Sequence, residues 1–303
     1  MNIFVTGVNG QLGYDVAREL LKRGHFVTGS GSSAAYRGIA EYTGNYVTVD
    51  ITDPTQVCDT LYRVRPDAVV HCAAWTNVDG AEEKENIPKV YAVNEDGTRN
   101  IAEACRELGC KMLYVSTDYV FDGQGTEPWD PDCKNFAPLN EYGKSKLKGE
   151  LAVANVLEKY FIVRTAWVFG LNGKNFVKTM LRLGQAHDTL RVVNDQIGTP
   201  TYTCDLARLI SDMIETDKYG FYHATNEGGY ISWYDFACEI FRQAGMNTRV
   251  IPVTTAEYGQ TRAVRPLNSR LGKSKLEEYG FDALPDWTDA LHRYLVCMKE
   301  TAL

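Results

Sequence analysis

Asn2-Ile3-Phe4-Val5-Thr6-Gly7-Val8-Asn9-Gly10-Gln11-Leu12-Gly13 joins an apolar strand to a glycine loop, and an amphipathic helix follows from about Leu12 to Arg23. Strand, glycine loop and helix in that order are the setting in which a glycine motif carries meaning. The glycines permit a tight turn and let backbone N–H groups approach a pyrophosphate at the helix N-terminus. Gly7, Asn9, Gly10, Gln11 and Leu12 are therefore candidate dinucleotide contacts. The spacing is G-x-x-G-x-x-G instead of the commoner G-x-G-x-x-G, and a plain βα turn is the competing account.

The strands that follow extend the same pattern. The second runs from His25 to Gly29 and ends in Ser30-Gly31-Ser32-Ser33, with Arg37 beyond. A site selective for NAD usually places an acid here on the ribose 2′-hydroxyl. None is present, so NADPH is allowed and slightly favoured over NADH, with Ser30 the candidate contact; a serine-rich turn touching nothing fits the same residues. The third strand, Tyr46 to Asp50, puts Asp50 and Ile51 at the adenine end, although Asp50 also suits a turn before the Asp53-Pro54 helix start. The fourth, Pro66 to Cys72, runs into Ala73-Ala74-Trp75-Thr76-Asn77-Val78-Asp79. Small residues after a strand let ribose and nicotinamide lie against the backbone, which selects Cys72, Ala73, Ala74, Trp75 and Thr76. A helix containing Tyr91, Asn94 and Gly97-Thr98 comes next.

The fifth strand, Lys111 to Val115, leads to Ser116-Thr117-Asp118 at the sheet edge where ligands bind in open α/β sheets. The loop from Phe121 to Leu139 is rich in Gly, Pro and aromatic residues and is expected to cover the site. Then Tyr142-Gly143-Lys144-Ser145-Lys146 opens a helix capped by Asn140. Tyr142 and Lys146 share one helix face. A phenol titrates near about 10, and an adjacent ammonium pulls that value down. Such a phenol can protonate a developing alkoxide; an ordinary helix start is the alternative. The sixth strand, Phe161 to Thr165, ends in Ala166-Trp167.

This alternation predicts an α/β protein with a doubly wound, mostly parallel sheet of Rossmann type. Beyond about residue 170 it fades into helices at 175–186, 204–215 and 232–244 and strands at 191–193 and 220–224. A smaller C-terminal α+β domain is expected: 1–166 for the NAD(P)-binding part, 167–303 mainly for substrate, with segments near 190–215 returning to the Rossmann core.

Composition narrows the classes. With 303 residues, 44% of them hydrophobic, the chain can bury a large core. The net charge of −7 argues against nucleic acid as the main ligand. No apolar run approaches the ~20 residues of a membrane span. The chain opens directly in a strand, without a basic segment or cleavage site, so no signal peptide and a cytoplasmic location are expected. Eight cysteines lack CxxC spacing and read as buried free thiols in a reducing compartment.

These residues together resemble the extended short-chain dehydrogenase/reductase family, and within it the dTDP-4-dehydrorhamnose reductase branch. The narrower likeness rests on Ser116-Thr117-Asp118-Tyr119-Val120-Phe121-Asp122-Gly123, Arg164-Thr165-Ala166-Trp167-Val168, Asp195-Gln196, Arg265-Pro266 and Pro285-Asp286-Trp287. The resemblance implies that Tyr142 is the general acid, that Lys146 binds ribose and tunes it, and that Thr117 bonds the reacting oxygen. It implies that Thr76, Val78, Thr117, Asp118, Tyr142, Trp167, Asn175 and Arg265 hold the sugar nucleotide, and that Asn94 joins the cofactor set. The implied reaction is NAD(P)H-dependent reduction of the C4 ketone of dTDP-4-dehydro-β-L-rhamnose, a step towards cell-surface polysaccharide. Arg262, Arg265 and Arg270 are candidates for the substrate diphosphate, by composition. Some members dimerise through Mg²⁺ held by carboxylates; only Asp15 matches such a position, so no metal site is assigned. A monomer or a homodimer fits. Two rivals share the fold: a nucleotide-sugar epimerase or dehydratase, and a non-catalytic subunit of the methionine adenosyltransferase β type.

Overall fold

The computed structural model describes residues 1–39, 41–259 and 261–301. Its strands are β1 (Asn2–Thr6), β2 (Phe26–Gly31), β3 (Asn45–Thr48), β4 (Ala68–His71), β5 (Lys111–Thr117), β6 (Tyr160–Thr165), β7 (Val168–Phe169), β8 (Thr189–Val193), β9 (Ile197–Gly198), β10 (Thr201–Tyr202), β11 (Gly220–His223), β12 (Ile231–Ser232) and β13 (Arg249–Val253). The helices are α1 (Gln11–Lys22), α2 (Pro54–Val64), α3 (Val78–Ala81), α4 (Ile87–Tyr91), α5 (Gly97–Leu108), α6 (Glu141–Val156), α7 (Phe176–Ala186), α8 (Thr203–Ile214), α9 (Trp233–Ala244), α10 (Thr255–Tyr258), α11 (Ser274–Glu278) and α12 (Trp287–Thr301). A π turn over Ala92–Asp96 links α4 to α5.

Seven strands form one parallel sheet in the order β11-β6-β5-β4-β1-β2-β3. The order reverses at β1, and on each side the chain winds outward, as the βαβ alternation dictates. Both faces are covered. Ile3, Val5, Val70 and Leu113 face a core shared with α1 and α8, while Phe4, Val69, Met112 and Ile162 face one shared with α2 and α5. A separate core gathers Phe169, Val177, Phe236, Trp287 and Tyr294 from α7, α9, α12 and the short strands around them.

Of the 190–215 stretch expected to return to the main core, α8 does so and β8 does not. β8 pairs with β13 beside the separate core, whereas α8 packs on α1 and β11 extends the sheet beside β6. The reason lies in burial. β8 buries only Val192 of its five residues, while nine residues of α8 are buried. The loop after Phe121 also departs from expectation. It does not line the main cavity; it closes over Arg164 instead. Trp129 stacks on Phe121 at 4.5 Å, and Phe121 bridges to Phe136. The eight cysteines are free, but only Cys105 and Cys110 are buried. No helix among the described residues is long and apolar enough to cross a membrane.

Arg164 on β6 is the largest fully buried side chain. Its Nε and Nη2 donate to the two carboxylate oxygens of Glu150 on α6, each at 2.8 Å, and Nη1 donates to the Pro131 carbonyl. The rings of Phe121, Phe136 and Phe221 surround the guanidinium at 5.0–5.2 Å. Removing one partner strands a charge in the interior. Glu150→Gln is therefore expected to lower stability by about 3–5 kcal/mol, and the double change Glu150→Leu/Arg164→Met to recover much of it. Urea unfolding midpoints measure both. An unshifted midpoint for Glu150→Gln would show that the pair does not hold α6 to the sheet.

Candidate active site

A cavity of about 1020 Å³ opens along the C-terminal edge of the main sheet. Gly7, Asn9, Gly10, Gln11 and Leu12 line one end, from the loop between β1 and α1. Gly7 has φ 73°, and a Cβ there would lie 2.8 Å from the Ala73 nitrogen. A Cβ on Gly13 would collide with the Gly7 carbonyl. Two loops can thus approach only because these side chains are missing. Gly10 caps α1 without any side-chain bond to the first turn, which leaves that turn's N–H groups for a ligand. Ser30, Asp50 and Ile51 line the same end. The Ser30 hydroxyl is buried and has no hydrogen-bond partner among the described residues. Asp50 lines the cavity and also accepts from Thr52 N and Oγ1, at 2.9 and 2.8 Å, as a turn residue does. This cradle of free N–H groups, missing Cβ atoms and an orphaned hydroxyl fits a dinucleotide.

Cys72, Ala73, Ala74, Trp75, Thr76 and Val78 form the middle of the wall. A buried network holds this stretch. Thr6 Oγ1 accepts from the Cys72 and Ala73 N–H groups at 3.1 and 3.0 Å and contacts His71 Nδ1 at 2.7 Å. His71 Nε2 lies 3.1 Å from Thr98 Oγ1. Burial, aided by the charge of Lys146, pushes His71 down to about 3, so it stays neutral and structural.

Asn94 does not line the cavity, contrary to its expected cofactor role. It sits in the π turn and is 1% exposed. Its Oδ1 accepts from Trp75 N at 2.8 Å, and its Nδ2 donates to Ser145 Oγ at 2.9 Å. Ser145 in turn donates to the Tyr142 carbonyl. Asn94 therefore ties the wall loop to the helix that carries Tyr142.

Thr117, Asp118, Tyr142 and Lys146 meet at the cavity floor. Asn140 Oδ1 accepts from Gly143 N at 2.8 Å and starts α6 where the sequence predicts. Burial pushes the Tyr142 phenol up to about 12, with the Thr117 hydroxyl pulling the other way and Asp118 adding to the rise. The expected lowering by Lys146 is absent, because its ammonium is engaged elsewhere. Lys146 Nζ donates to the Val115 carbonyl at 2.7 Å and lies 4.1 Å from the centre of the Tyr114 ring. Burial holds Lys146 down to about 7, against the pull of Glu150. Asp118 is raised to about 6 by burial, and its Oδ2 has no partner among the described residues. Tyr142 is thus a neutral phenol across the physiological range, beside a hydroxyl and an unsatisfied carboxyl oxygen. That arrangement can donate a proton to an oxygen bound between Thr117 and Tyr142.

Trp167 lines the far wall with φ 51°, a left-handed conformation that costs a non-glycine residue about 1–3 kcal/mol. Its indole stacks on Trp233 at 3.7 Å and 14°. Trp233, Phe176 and Lys174 also line this wall and were not anticipated. Trp233 reads in sequence as the first residue after the Ser232 cap, with no local sign that it would stack on Trp167. Asn175 and Arg265, both expected at the substrate, lie outside the lining. Asn175 caps α7 and donates to Gln11 Oε1, the Gly170 carbonyl and Tyr294 Oη. Arg265 is paired with Asp79, whose carboxyl it holds below the usual range. Arg262 pairs with Glu83, and Arg270 donates to Asn268 Oδ1 at 3.0 Å. No cluster of three or more metal-ligating side chains occurs among the described residues, and Asp15 bonds to Thr203 Oγ1.

A profile of the RmlD substrate binding domain matches residues 1–299. A Streptomyces griseus protein named dTDP-4-dehydrorhamnose reductase is 41% identical over 95% of this chain and 90% of its own length. The spore coat polysaccharide biosynthesis protein SpsK of Bacillus subtilis is 37% identical over 97% and 96%. A Bacillus anthracis dTDP-4-dehydrorhamnose reductase, solved in complex with NADP, superposes with a TM-score of 0.86 at 41% identity, covering 97% of this chain and 98% of that one. The family match spans nearly the whole chain, and the chain belongs to the RmlD substrate binding domain family, together with proteins named dTDP-4-dehydrorhamnose reductase.

Proposed function

We propose that this protein is an NAD(P)H-dependent reductase that converts the C4 ketone of dTDP-4-dehydro-β-L-rhamnose to the alcohol of dTDP-L-rhamnose, in the cytoplasm. The observation that carries the reading is the meeting of Thr117, Tyr142 and Lys146 at one end of a cavity whose other end is a dinucleotide cradle. Gly7, Gly10, Gln11 and Leu12 hold the pyrophosphate, Ser30 and Asp50 the adenosine end, and Ala74 to Thr76 the run towards the floor. The bound nicotinamide supplies a hydride. Tyr142 gives its phenolic proton to the C4 oxygen as charge develops there, and Thr117 donates a second hydrogen bond to that oxygen. Lys146, whose ammonium meets the Val115 carbonyl, binds the cofactor ribose on the same floor. The Trp167 and Trp233 rings offer an apolar wall to the weakly polar face of a 6-deoxy sugar. NADPH oxidation against a panel of dTDP-4-keto sugars tests the whole reading. Turnover with no net loss of NADPH would point to an epimerase instead.

Tyr142→Phe removes only the hydroxyl. It should lower kcat by about 10²- to 10⁴-fold and leave NADPH affinity nearly unchanged. Wild-type turnover in that variant would take Tyr142 out of the reaction.

Lys146 gives a pH signature independent of catalysis. Burial depresses it to about 7 in the folded chain, against about 10.4 when unfolded. Between those values the unfolded state binds more protons, so stability rises with pH across the window and is lowest below it. Lys146→Met removes this rise. The variant's stability advantage should be largest near about pH 6.5 and shrink towards about pH 9.5, as read from urea midpoints. Parallel curves would mean that Lys146 stays charged throughout.

Trp167→Ala should lower kcat/KM for the dTDP-4-keto sugar while NADPH affinity holds. Its stability cost should stay near the ~0.5–1.5 kcal/mol of a lost aromatic pair, because the indole borders the cavity. A loss of ~3–5 kcal/mol with normal activity in the folded fraction would make Trp167 a core residue only.

A further inference from the structure

Either nucleotide that this reading requires carries a diphosphate, and the chain as a whole is acidic, with a net charge of −7. A cation beside the diphosphate would offset that charge locally. The three arginines that composition suggests are committed to Glu83, Asp79 and Asn268, and none lines the cavity. Among the described lining residues the cations are Lys146 and Lys174. Lys146 is buried on the floor and bonded to the Val115 carbonyl. Lys174 is exposed, and no hydrogen bond or ion pair of its side chain occurs among the described residues.

The backbone around Lys174 is held in place although its ammonium is not. On one side, Asn175 Nδ2 donates to Gln11 Oε1 at 2.9 Å. On the other, Gly173 lies beside Gln11: a Cβ there would sit in ordinary van der Waals contact with Gln11 Cγ, at 3.5 Å. Gln11 is the first residue of α1, whose uncapped first turn points its N–H groups at the ligand end of the cavity. Lys178 braces the turn from below by donating to the Leu171 and Gly173 carbonyls. In the same cavity the Ser30 hydroxyl is 1% exposed and unpartnered, which independently marks that end as built for a polar ligand. A lysine suits the position, because a flexible point charge can follow phosphate oxygens without a fixed fork geometry.

We infer that Lys174 is a diphosphate-binding residue of this site, closing over the α1 N-terminus from the opposite wall. The assignment rests on the reductase reading. The diphosphate belongs either to the dinucleotide or to the sugar nucleotide, and binding separates the two. Calorimetric titrations of NADPH, NADH and dTDP into wild type, Lys174→Met and Lys174→Arg supply the test, with melting curves confirming that each variant is folded. Lys174→Met should weaken binding about tenfold, which is 1.4 kcal/mol, at low ionic strength. The gap should narrow near 1 M salt, where the Debye length falls to about 3 Å. Lys174→Arg should restore most of the affinity. A loss shared by NADPH and NADH assigns the cofactor diphosphate, and a loss for dTDP assigns the substrate diphosphate. Unchanged affinity for all three overturns the inference. So does a loss confined to NADPH, which would mark a 2′-phosphate contact. Wild type that binds none of the three overturns the reductase reading as well, whereas binding that Lys174→Met leaves intact overturns Lys174 alone.

Discussion

A line of buried charges holds the floor of the cavity together. Lys146 and Glu150 are one turn apart on α6, and Glu150 is clamped to Arg164 on β6 by two 2.8 Å bonds. All three side chains are nearly inaccessible: Lys146 is 3% exposed, and Glu150 and Arg164 are 1%. Charges in the interior tolerate little displacement, because each loses its partner if the helix slides. α6 is therefore locked in rotation and in register against the sheet. That lock aims Tyr142 at the edge where Thr117 emerges. The loop between Phe121 and Leu139 serves this same centre, lending aromatic faces and the Pro131 carbonyl to Arg164.

A second constraint comes from neutral groups. Thr6, His71, Thr98 and Asn94 form a buried relay beneath the strand ends. Its last member grips both the Trp75 backbone and Ser145 on α6. The loop at Trp75 and the helix that carries Tyr142 are thus tied together by one asparagine. The π turn that carries Asn94 breaks the regular helix at that point, a distortion common beside functional sites. The ionic line and the neutral relay meet neighbouring residues of α6, at Lys146 and Glu150 for the one and at Ser145 for the other.

Electrostatics in the cavity follows from this burial. Tyr142 is raised and Lys146 lowered for the same reason, the poor solvation of charge. The pairing expected from the four-residue spacing would lower the phenol. In the folded chain the ammonium faces the Val115 carbonyl and the Tyr114 ring instead. Same-face spacing on a helix brings two side chains near each other; it does not decide which neighbour the longer one bonds.

The parallel sheet, the glycine loop, the start of α6 at Asn140 and most of the cavity lining were legible in the sequence, because each depends on local periodicity, turn chemistry and position at a strand end. The roles of Asn94, Asn175 and Arg265 were not, since a polar side chain near a site can face the ligand or brace the wall, and only its distant partners decide. Asn94 found Trp75 and Ser145, Asn175 found Gln11 and Tyr294, and Arg265 found Asp79. The Trp167–Trp233 stack joins residues 66 positions apart. Local sequence determined which elements form and where their ends lie. The tertiary structure alone decided which polar groups were consumed by the fold and which were left for a ligand, because a hydrogen bond is allotted by whatever the completed packing brings within 3 Å.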